Sequence, residues 1–206
     1  VTQRDVNEVA LDHKIVSDAS HNFSNVLDDW SVTNQARSGR CWMFAGLNLF
    51  RSEARDILNL KEFEYSQNYV MFWDKLERCN FLFEAIIETA DRPLDDRTVA
   101  FLLQSSINDG GQWDMFVSLV NKHGVVPKEV MPETESSSNS ARMNSIINYQ
   151  VRQGARAIRD NYASEQGLEG MRIAKNAALN SIYQILSIHL GTPPKEFHWQ
   201  WTDKDN

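Results

Sequence analysis

The stretch Gln35-Ala36-Arg37-Ser38-Gly39-Arg40-Cys41-Trp42-Met43-Phe44 marks the point where a polar, glycine-containing loop gives way to an apolar-periodic segment. From Met43 the apolar residues recur at steps of three and four, which predicts an amphipathic helix that ends near Asn59. Cys41 then lies in the first turn, where unpaired backbone N–H groups and the positive end of the helix dipole favour an anion such as a thiolate. The sequence therefore places a candidate nucleophile at a helix start.

Gln35 places a side-chain amide six positions before Cys41. Such an amide and the free N–H groups of a helix start are the donors that hold the oxyanion formed when a thiolate attacks a carbonyl carbon. One loop thus carries a candidate nucleophile together with candidate oxyanion donors. The alternative is that Cys41 is a small apolar residue buried beneath the helix, as unpaired cysteines often are.

The run Ser38-Gly39-Arg40-Cys41-Trp42 resembles C-G-[SA]-C-[WY], the signature of the papain-like cysteine proteinases. Gly39, Cys41 and Trp42 agree with the glycine, the second cysteine and the aromatic residue of that signature. Ser38 and Arg40 depart from it. In secreted members the first cysteine is disulfide-bonded, so Ser38 at that position implies a branch in a reducing compartment. The sequence of the whole loop is similar to that of the bleomycin hydrolase branch of cytosolic cysteine aminopeptidases, and so is the later tract Phe72 to Cys79.

The resemblance implies an α+β papain-like fold and the hydrolysis of N-terminal peptide or amide bonds through a Cys thioester intermediate. It assigns Cys41 as the nucleophile and Gln35 as an oxyanion donor. It implies no metal and no cofactor, and its partners are peptide or amide substrates and further copies of the chain.

A second stretch, Asn108 to Met115, contains the adjacent glycines Gly110 and Gly111. A backbone without side chains can adopt positive φ and can be approached closely by another chain. An extended peptide can pair with such exposed N–H and C=O groups by strand addition. A common Gly-Gly turn before a helix is the alternative, but the papain family has a Gly-Gly here that lines the cleft. The resemblance therefore assigns Gly110, Gly111 and Trp42 to substrate binding.

Four segments are predicted along the chain: a lead-in over 1–33, the helical half of a papain-like domain over 34–131, a helical insertion over 132–192 and the start of a strand region over 193–206. Ser66 is the predicted N-cap of a second helix, and a further helix runs from Trp113 to His123 with Gly124 as its stop signal. The polar residues 132–140 indicate a linker.

Two long helical patterns, Ala141 to about Tyr162 and Gly167 to His189, make up the insertion. In bleomycin hydrolases the corresponding insertion helps to assemble a hexamer, so the resemblance implies a homohexamer. A helical hairpin packed on its own subunit is the alternative. Beyond it, Phe197, Trp199 and Trp201 alternate with polar residues, which predicts a strand.

A strand that ends at its first turn has no partner, so we expect the chain to be an N-terminal fragment, mainly α, with most of the β-rich half missing. The catalytic His and Asn are expected beyond residue 206, and the fragment alone is expected to be inactive. His189 and Asn206 lie near the family's distance from the nucleophile. Neither is assigned, because His189 ends a helix and Asn206 is terminal.

Composition excludes several classes of protein. A net charge of -7 argues against a dedicated nucleic-acid binder. The two cysteines are too few for a disulfide framework, and they lack the C-x-x-C spacing of a zinc site. There is neither a membrane-length apolar run nor a secretory signal at the beginning, which predicts a cytoplasmic protein. The rival to a protease is a non-catalytic oligomeric scaffold or nucleic-acid-binding assembly on the same fold.

Overall fold

The computed structural model describes residues 3–20, 22–24, 26, 31–104, 106–164 and 166–205. The chain divides into two compact units, Val1–Trp30 and Ser31–Asn206. The first contains the short helices α1 (Val6–Ala10) and α2 (His13–Asp18), which are capped by the carboxylates of Asp5 and Asp12 and bury none of their own residues. The boundaries of the four predicted segments remain predictions.

The regular elements that the structure describes in the second unit are helices, and two of these helices begin or end at residues predicted as cap signals. Ser66 Oγ accepts a hydrogen bond of 3.0 Å from the Tyr69 backbone N–H, and Gly124 ends a helix at φ +73°. These are the N-cap and C-cap roles that the sequence assigned to them. The helices are α3 (Cys41–Leu58), α4 (Gln67–Glu88), α5 (Arg97–Gln104), α6 (Trp113–His123), α7 (Glu135–Ser138), α8 (Ala141–Ala163) and α9 (Gly167–Leu190).

Helix α4 is the centre of the core. It contacts α3, α5 and α6 as well as the long pair α8 and α9. A Cβ on Gly154 of α8 would lie 2.7 Å from Ala178 Cβ of α9 and 2.8 Å from the Phe83 ring of α4. The three helices approach this closely because that position has no side chain. The helical pair therefore packs on the rest of its own unit.

Helices α3 and α6 are also in close contact. A Cβ on Gly46 would lie 2.7 Å from the ring of Phe116, and the Phe50 and Phe116 ring centroids are 5.4 Å apart. This contact places the first turns of α3 beside the start of α6. The loop before each helix is consequently brought to the same end of the unit.

The prediction of a linker over residues 132–140 was wrong. Thr134 and Ser137 form a reciprocal capping box around α7, and Ser137 and Ser140 are buried. The Arg37 backbone N–H donates to Ser138 O at 2.8 Å, so this segment binds the loop that precedes α3. Serine and asparagine are common in linkers, but here their hydroxyl and backbone groups are used in capping and tertiary hydrogen bonds.

The strand predicted over Phe197 to Trp201 is not formed either. The described part of the chain contains isolated β-bridges and no strand, and one of these bridges joins Leu60 to Asp203. The aromatic residues of the tail pack instead through their rings: Trp199 lies 5.4 Å from Phe63 and 5.0 Å from Trp201, measured between centroids. Alternation alone does not make a strand, because a ladder needs a neighbouring backbone.

Candidate active site

Cys41 is the first residue of α3, and it is exposed. The carbonyl of Arg40 accepts hydrogen bonds of 3.0 Å from the N–H groups of both Met43 and Phe44, while the N–H groups at the very start of a helix have no intrahelical partner. The alternative of a buried structural thiol therefore does not hold for Cys41. It does hold for Cys79, which is fully buried on α4, where desolvation raises the thiol pKa to about 12.

Gln35 lies in the loop before α3 and is half-buried. Its backbone carbonyl accepts a hydrogen bond of 2.6 Å from Ser38 Oγ. Its side-chain Oε1 is buried and has no hydrogen-bond partner among the described residues. The role of Gln35 as an oxyanion donor stays a prediction.

The structure brings the two functional stretches of the sequence together. A Cβ on Gly39 would lie 2.6 Å from Asp109 Cβ, and Gly39 has a φ of +60°. The Gly110 N–H donates to Gly39 O at 3.3 Å. Glycine is required at position 39 by both its backbone conformation and the neighbouring chain. The nucleophile loop and the Gly-Gly loop are thus one contiguous surface.

Trp42 forms the second contact between the two loops. A Cβ on Gly111 would lie 2.7 Å from the indole atoms Cδ2 and Cε2 of Trp42, so the Gly111 backbone lies directly against this ring. The guanidinium carbon of Arg78 lies 5.9 Å from the centre of the same ring. Trp42, the residue after the candidate nucleophile, thereby contacts Gly111, which is predicted to bind the substrate.

The two glycines differ in what their backbones already bind. Gly110 has a φ of +86°; its N–H is used by Gly39 O, and its carbonyl accepts a hydrogen bond of 2.5 Å from Arg78 Nη2. Among the described residues, no hydrogen bond uses either backbone group of Gly111. The hydrogen bonds of Gly110 therefore hold the loop in place, whereas the backbone groups of Gly111 have no partner among the described residues. The substrate-binding role of the two glycines stays a prediction.

Four charged residues that support the Gly-Gly loop were missed by the sequence analysis. Lys75 Nζ lies 3.0 Å from Asp109 Oδ1, and Arg78 Nε lies 2.8 Å from Asp74 Oδ1. Burial raises the pKa of Asp74, although the cations Arg78 and Lys75 oppose the shift. The available signal was the position of these charges on α4, because Asp74 and Lys75 fall among its core-facing residues. Buried charges are usually paired.

Two concave sites lie near these loops. A pocket of about 250 Å³ borders the nucleophile turn, and its walls come from α3 and the start of α6: Trp42, Ala45, Gly46, Leu49, Gln112, Trp113 and Phe116. A larger groove of about 650 Å³ lies between α4, α5 and α6 on the side of Arg78. Cys41 lines neither of the two sites, but the smaller pocket is lined by Trp42, the residue that follows Cys41, so it is the one next to the candidate nucleophile.

The rings of two histidines have partners other than Cys41. His123 stacks on Trp73 at 4.1 Å between centroids, with Nε2 at 3.0 Å from Glu77 Oε1. His189 Nδ1 lies 2.8 Å from Ser136 Oγ. Asn206 lies outside the described residues. The expectation that the catalytic His and Asn come from beyond residue 206 stays a prediction.

Within the described residues, no group of three or more His, Cys, Asp or Glu side chains is placed to hold a metal ion. None of the helices that the structure describes is long and apolar enough to cross a lipid bilayer.

Comparison with known proteins decides the family. The sequence profile of the peptidase C1-like family matches residues 1–206. The chain belongs to this family. The resemblance predicted from the nucleophile loop is thereby confirmed.

The names of curated relatives agree with the resemblance to the bleomycin hydrolase branch of cysteine aminopeptidases. Aminopeptidase C of Lactobacillus delbrueckii subsp. lactis is 45% identical over 188 residues, which cover 91% of this chain and 42% of that protein. Bleomycin hydrolase of Oryctolagus cuniculus is 40% identical over 208 residues, which cover 99% of this chain and 75% of the relative. Against human bleomycin hydrolase the chain is 39% identical and spans 46% of its length. The chain thus spans less than half of two of these three relatives.

A solved structure agrees with the fold. PepW from Lactobacillus rhamnosis HN001 superposes with a TM-score of 0.94 at 43% identity, covering 100% of this chain and 46% of PepW. The predicted fold class, the mainly helical part of an α+β papain-like cysteine proteinase, is confirmed within the family.

Proposed function

We propose that this chain carries the nucleophile of a cysteine aminopeptidase of the bleomycin hydrolase type, which hydrolyses N-terminal peptide or amide bonds. The observation that carries the proposal is the exposed thiol of Cys41 at the first residue of α3, followed by Trp42, whose ring lies against the unpaired backbone of Gly111. The names of the relatives, Aminopeptidase C and bleomycin hydrolase, support the choice of substrate class.

In the proposed reaction the Cys41 thiolate attacks the carbonyl carbon of the scissile amide. The S–C bond forms as the carbonyl π electrons move to oxygen, and the N–H group of Cys41 and the amide of Gln35 hold that oxyanion. Collapse expels the amine, which takes its proton from an imidazolium, and leaves a thioester. The imidazole then takes a proton from water as the water oxygen attacks the thioester carbonyl. The C–S bond breaks, which releases a carboxylic acid and restores the thiolate and the imidazolium. The imidazole is supplied by sequence outside residues 1–206, so the chain alone is inactive.

Substrate alignment follows from the backbone of Gly111. An extended peptide that pairs with its N–H and C=O lies across the Trp42 ring, next to the first turn of α3. The 250 Å³ pocket with its largely apolar lining then receives a neighbouring substrate side chain. We therefore propose a preference for substrates with an apolar residue at that position.

The thiol reactivity of the full-length protein tests this function. Incubation with iodoacetamide or an epoxysuccinyl peptide at neutral pH is expected to modify Cys41 rapidly. Cys79 is an internal control in the same molecule, since it is fully buried and its pKa is raised to about 12. Peptide mapping by mass spectrometry without denaturant measures both sites. Equal modification of the two cysteines, or none at Cys41, would contradict the proposal.

The rival function gives a different result in the same preparation. A scaffold or nucleic-acid-binding assembly on this fold would show an unreactive Cys41, no amidase activity and, for the second class, binding to DNA that weakens as salt rises. The exposed position of Cys41 favours the enzyme.

We also propose that the full-length protein forms a homo-oligomer, a hexamer by family resemblance, through the helical pair α8 and α9. Several large apolar side chains of this pair are exposed, among them Tyr149 at 64%, Ile173 at 62% and Ile188 at 81%. An interface between subunits would cover these exposed side chains. Sedimentation velocity measures the assembly, and a monomer at micromolar concentration would contradict it. The two unpaired thiols support a cytoplasmic, reducing location, which cell fractionation tests.

A further inference from the structure

The side chain of Arg40, the residue before the nucleophile, is buried and fully engaged. Arg40 is 2% exposed, and its guanidinium makes a bidentate pair with Glu133: Nη1 to Oε1 at 2.9 Å and Nη2 to Oε2 at 2.7 Å. The guanidinium also lies 5.0 Å from the centre of the Phe44 ring. Bidentate pairs of this kind fix geometry as well as contribute energy.

The side chain of Arg40 is also connected, through Ser38, to Gln35, the predicted oxyanion donor. Arg40 Nε donates to Ser38 Oγ at 2.7 Å, and Ser38 Oγ donates to the Gln35 carbonyl at 2.6 Å. Ser137 Oγ donates to Glu133 Oε2 at 2.7 Å, which orients the carboxylate from the other side. A continuous hydrogen-bonded chain therefore runs from α7 to the backbone of Gln35.

The backbone of Arg40 has a separate task, because its carbonyl caps the first turn of α3. A displacement of Arg40 thus moves both the helix start that bears Cys41 and the loop that bears Gln35. The segment around α7 adds direct support, since Arg37 N–H donates to Ser138 O at 2.8 Å and Arg37 O accepts from Ser140 N–H at 3.3 Å. Glu133 is the only charged member of this support that touches Arg40 within the described residues.

The two positions at which the loop departs from the papain-like signature are the two that join this network. Ser38 replaces the first cysteine of C-G-[SA]-C-[WY], and Arg40 replaces the small residue before the nucleophile. Where the signature provides a cysteine and a small side chain, this chain provides a hydroxyl and a guanidinium. Both need partners when buried, and Glu133 supplies the carboxylate.

We propose that Glu133 is a positioning residue that, through Arg40 and Ser38, sets the geometry of Gln35 relative to Cys41. The inference rests on the proposed function, and it makes the segment between α6 and α8 part of the catalytic apparatus. Glu133 itself does not touch the substrate or the reacting atoms.

The test compares Glu133→Gln, Glu133→Asp and Glu84→Gln in the full-length protein. Glu84 is the matched control: its carboxylate also pairs with cationic side chains distant in sequence, Arg172 and Lys175 of α9, but these partners lie outside the nucleophile loop. Glu133→Gln is expected to lower kcat about 10-fold with KM changed less than about 2-fold, because misplaced catalytic groups weaken the transition state more than substrate binding. Glu133→Asp keeps the charge and is expected to recover part of the loss.

Two inhibitors separate positioning from simple loss of structure. A peptide aldehyde forms a hemithioacetal whose oxygen needs the oxyanion donors, so its affinity is expected to fall about 10-fold in Glu133→Gln. Iodoacetamide needs only the thiol, so its rate at Cys41 is expected to change less than about 2-fold. In Glu84→Gln all of these quantities are expected to stay within about 2-fold of wild type, as for substitutions remote from the site.

The outcomes distinguish this inference from the proposed function. If the wild type turns over substrate and Glu133→Gln behaves like Glu84→Gln, the positioning role is wrong while the function stands. If iodoacetamide labelling, aldehyde binding and kcat fall together with the melting temperature, Glu133 is a structural residue and the inference is again overturned. If wild-type Cys41 neither labels nor turns over substrate, the proposed function itself fails.

Discussion

Cys41→Ala in the full-length protein is expected to lower kcat/KM for an aminoacyl-aminomethylcoumarin by at least about 10⁴-fold, because covalent catalysis loses its nucleophile. The thiol is exposed at the first residue of α3 and the core does not depend on it, so the free energy of unfolding is expected to change by less than about 0.5 kcal/mol. Steady-state kinetics and denaturant unfolding measure the two quantities.

Cys79→Ala is the matched control in the same protein. Cys79 is fully buried in the core on α4, so the substitution leaves a small cavity and is expected to cost about 1 kcal/mol of stability. The kcat of the Cys79→Ala variant is expected to stay near that of wild type. Retained turnover in Cys41→Ala, or loss of turnover only in Cys79→Ala, would remove the basis for the active site.

Local signals predicted most helices of this chain, because helix caps and apolar periodicity depend only on residues that are close in sequence. Helix α6 runs from Trp113 to His123 as predicted, since Gly124 supplies the positive φ that ends it. Helix α4 begins after Ser66, whose hydroxyl caps it as predicted. The position of Cys41 at a helix start followed from the same reasoning.

Contacts between residues that are distant in sequence could not be predicted from these local signals. Residues 132–140 have the composition of a linker, and nothing nearby in sequence shows that Glu133 meets Arg40 or that Ser138 meets Arg37. The structure of the segment is set by those distant groups. Its one local sign was the spacing of Thr134 and Ser137, which form the capping box.

The Gly-Gly site was predicted as a pair, but the structure gives its members different tasks. Sequence alone could not separate them, because the difference depends on Arg78, which reaches Gly110 O from α4. The family signature names the glycines, whereas the hydrogen bonds show that the Gly110 backbone is already paired and that no described residue pairs with the Gly111 backbone, which supports our proposal that Gly111 binds the substrate.

Gly111→Ala is expected to lower kcat/KM about 10²-fold, the scale on which small misplacements of catalytic groups act. Its Cβ would lie 2.7 Å from the fused ring atoms of Trp42, which cannot give way as a flexible chain end can. Relief requires either that the Gly111 backbone moves out of the cleft or that Trp42 turns, and Trp42 is bonded to Cys41. Both movements separate the substrate from the nucleophile.

Gly110→Ala is the control for this prediction, because it has the opposite combination of effects. Its φ of +86° makes an alanine costly by about 1 kcal/mol, yet its Cβ would have no neighbour within 4 Å. It is expected to lower stability with a smaller effect on kcat/KM than Gly111→Ala. Trp42→Phe combined with Gly111→Ala tests the clash directly, since the smaller ring leaves room for the new methyl group. Partial recovery of kcat/KM in the double variant is expected from a steric origin, and additive losses would show that the indole does not transmit the effect.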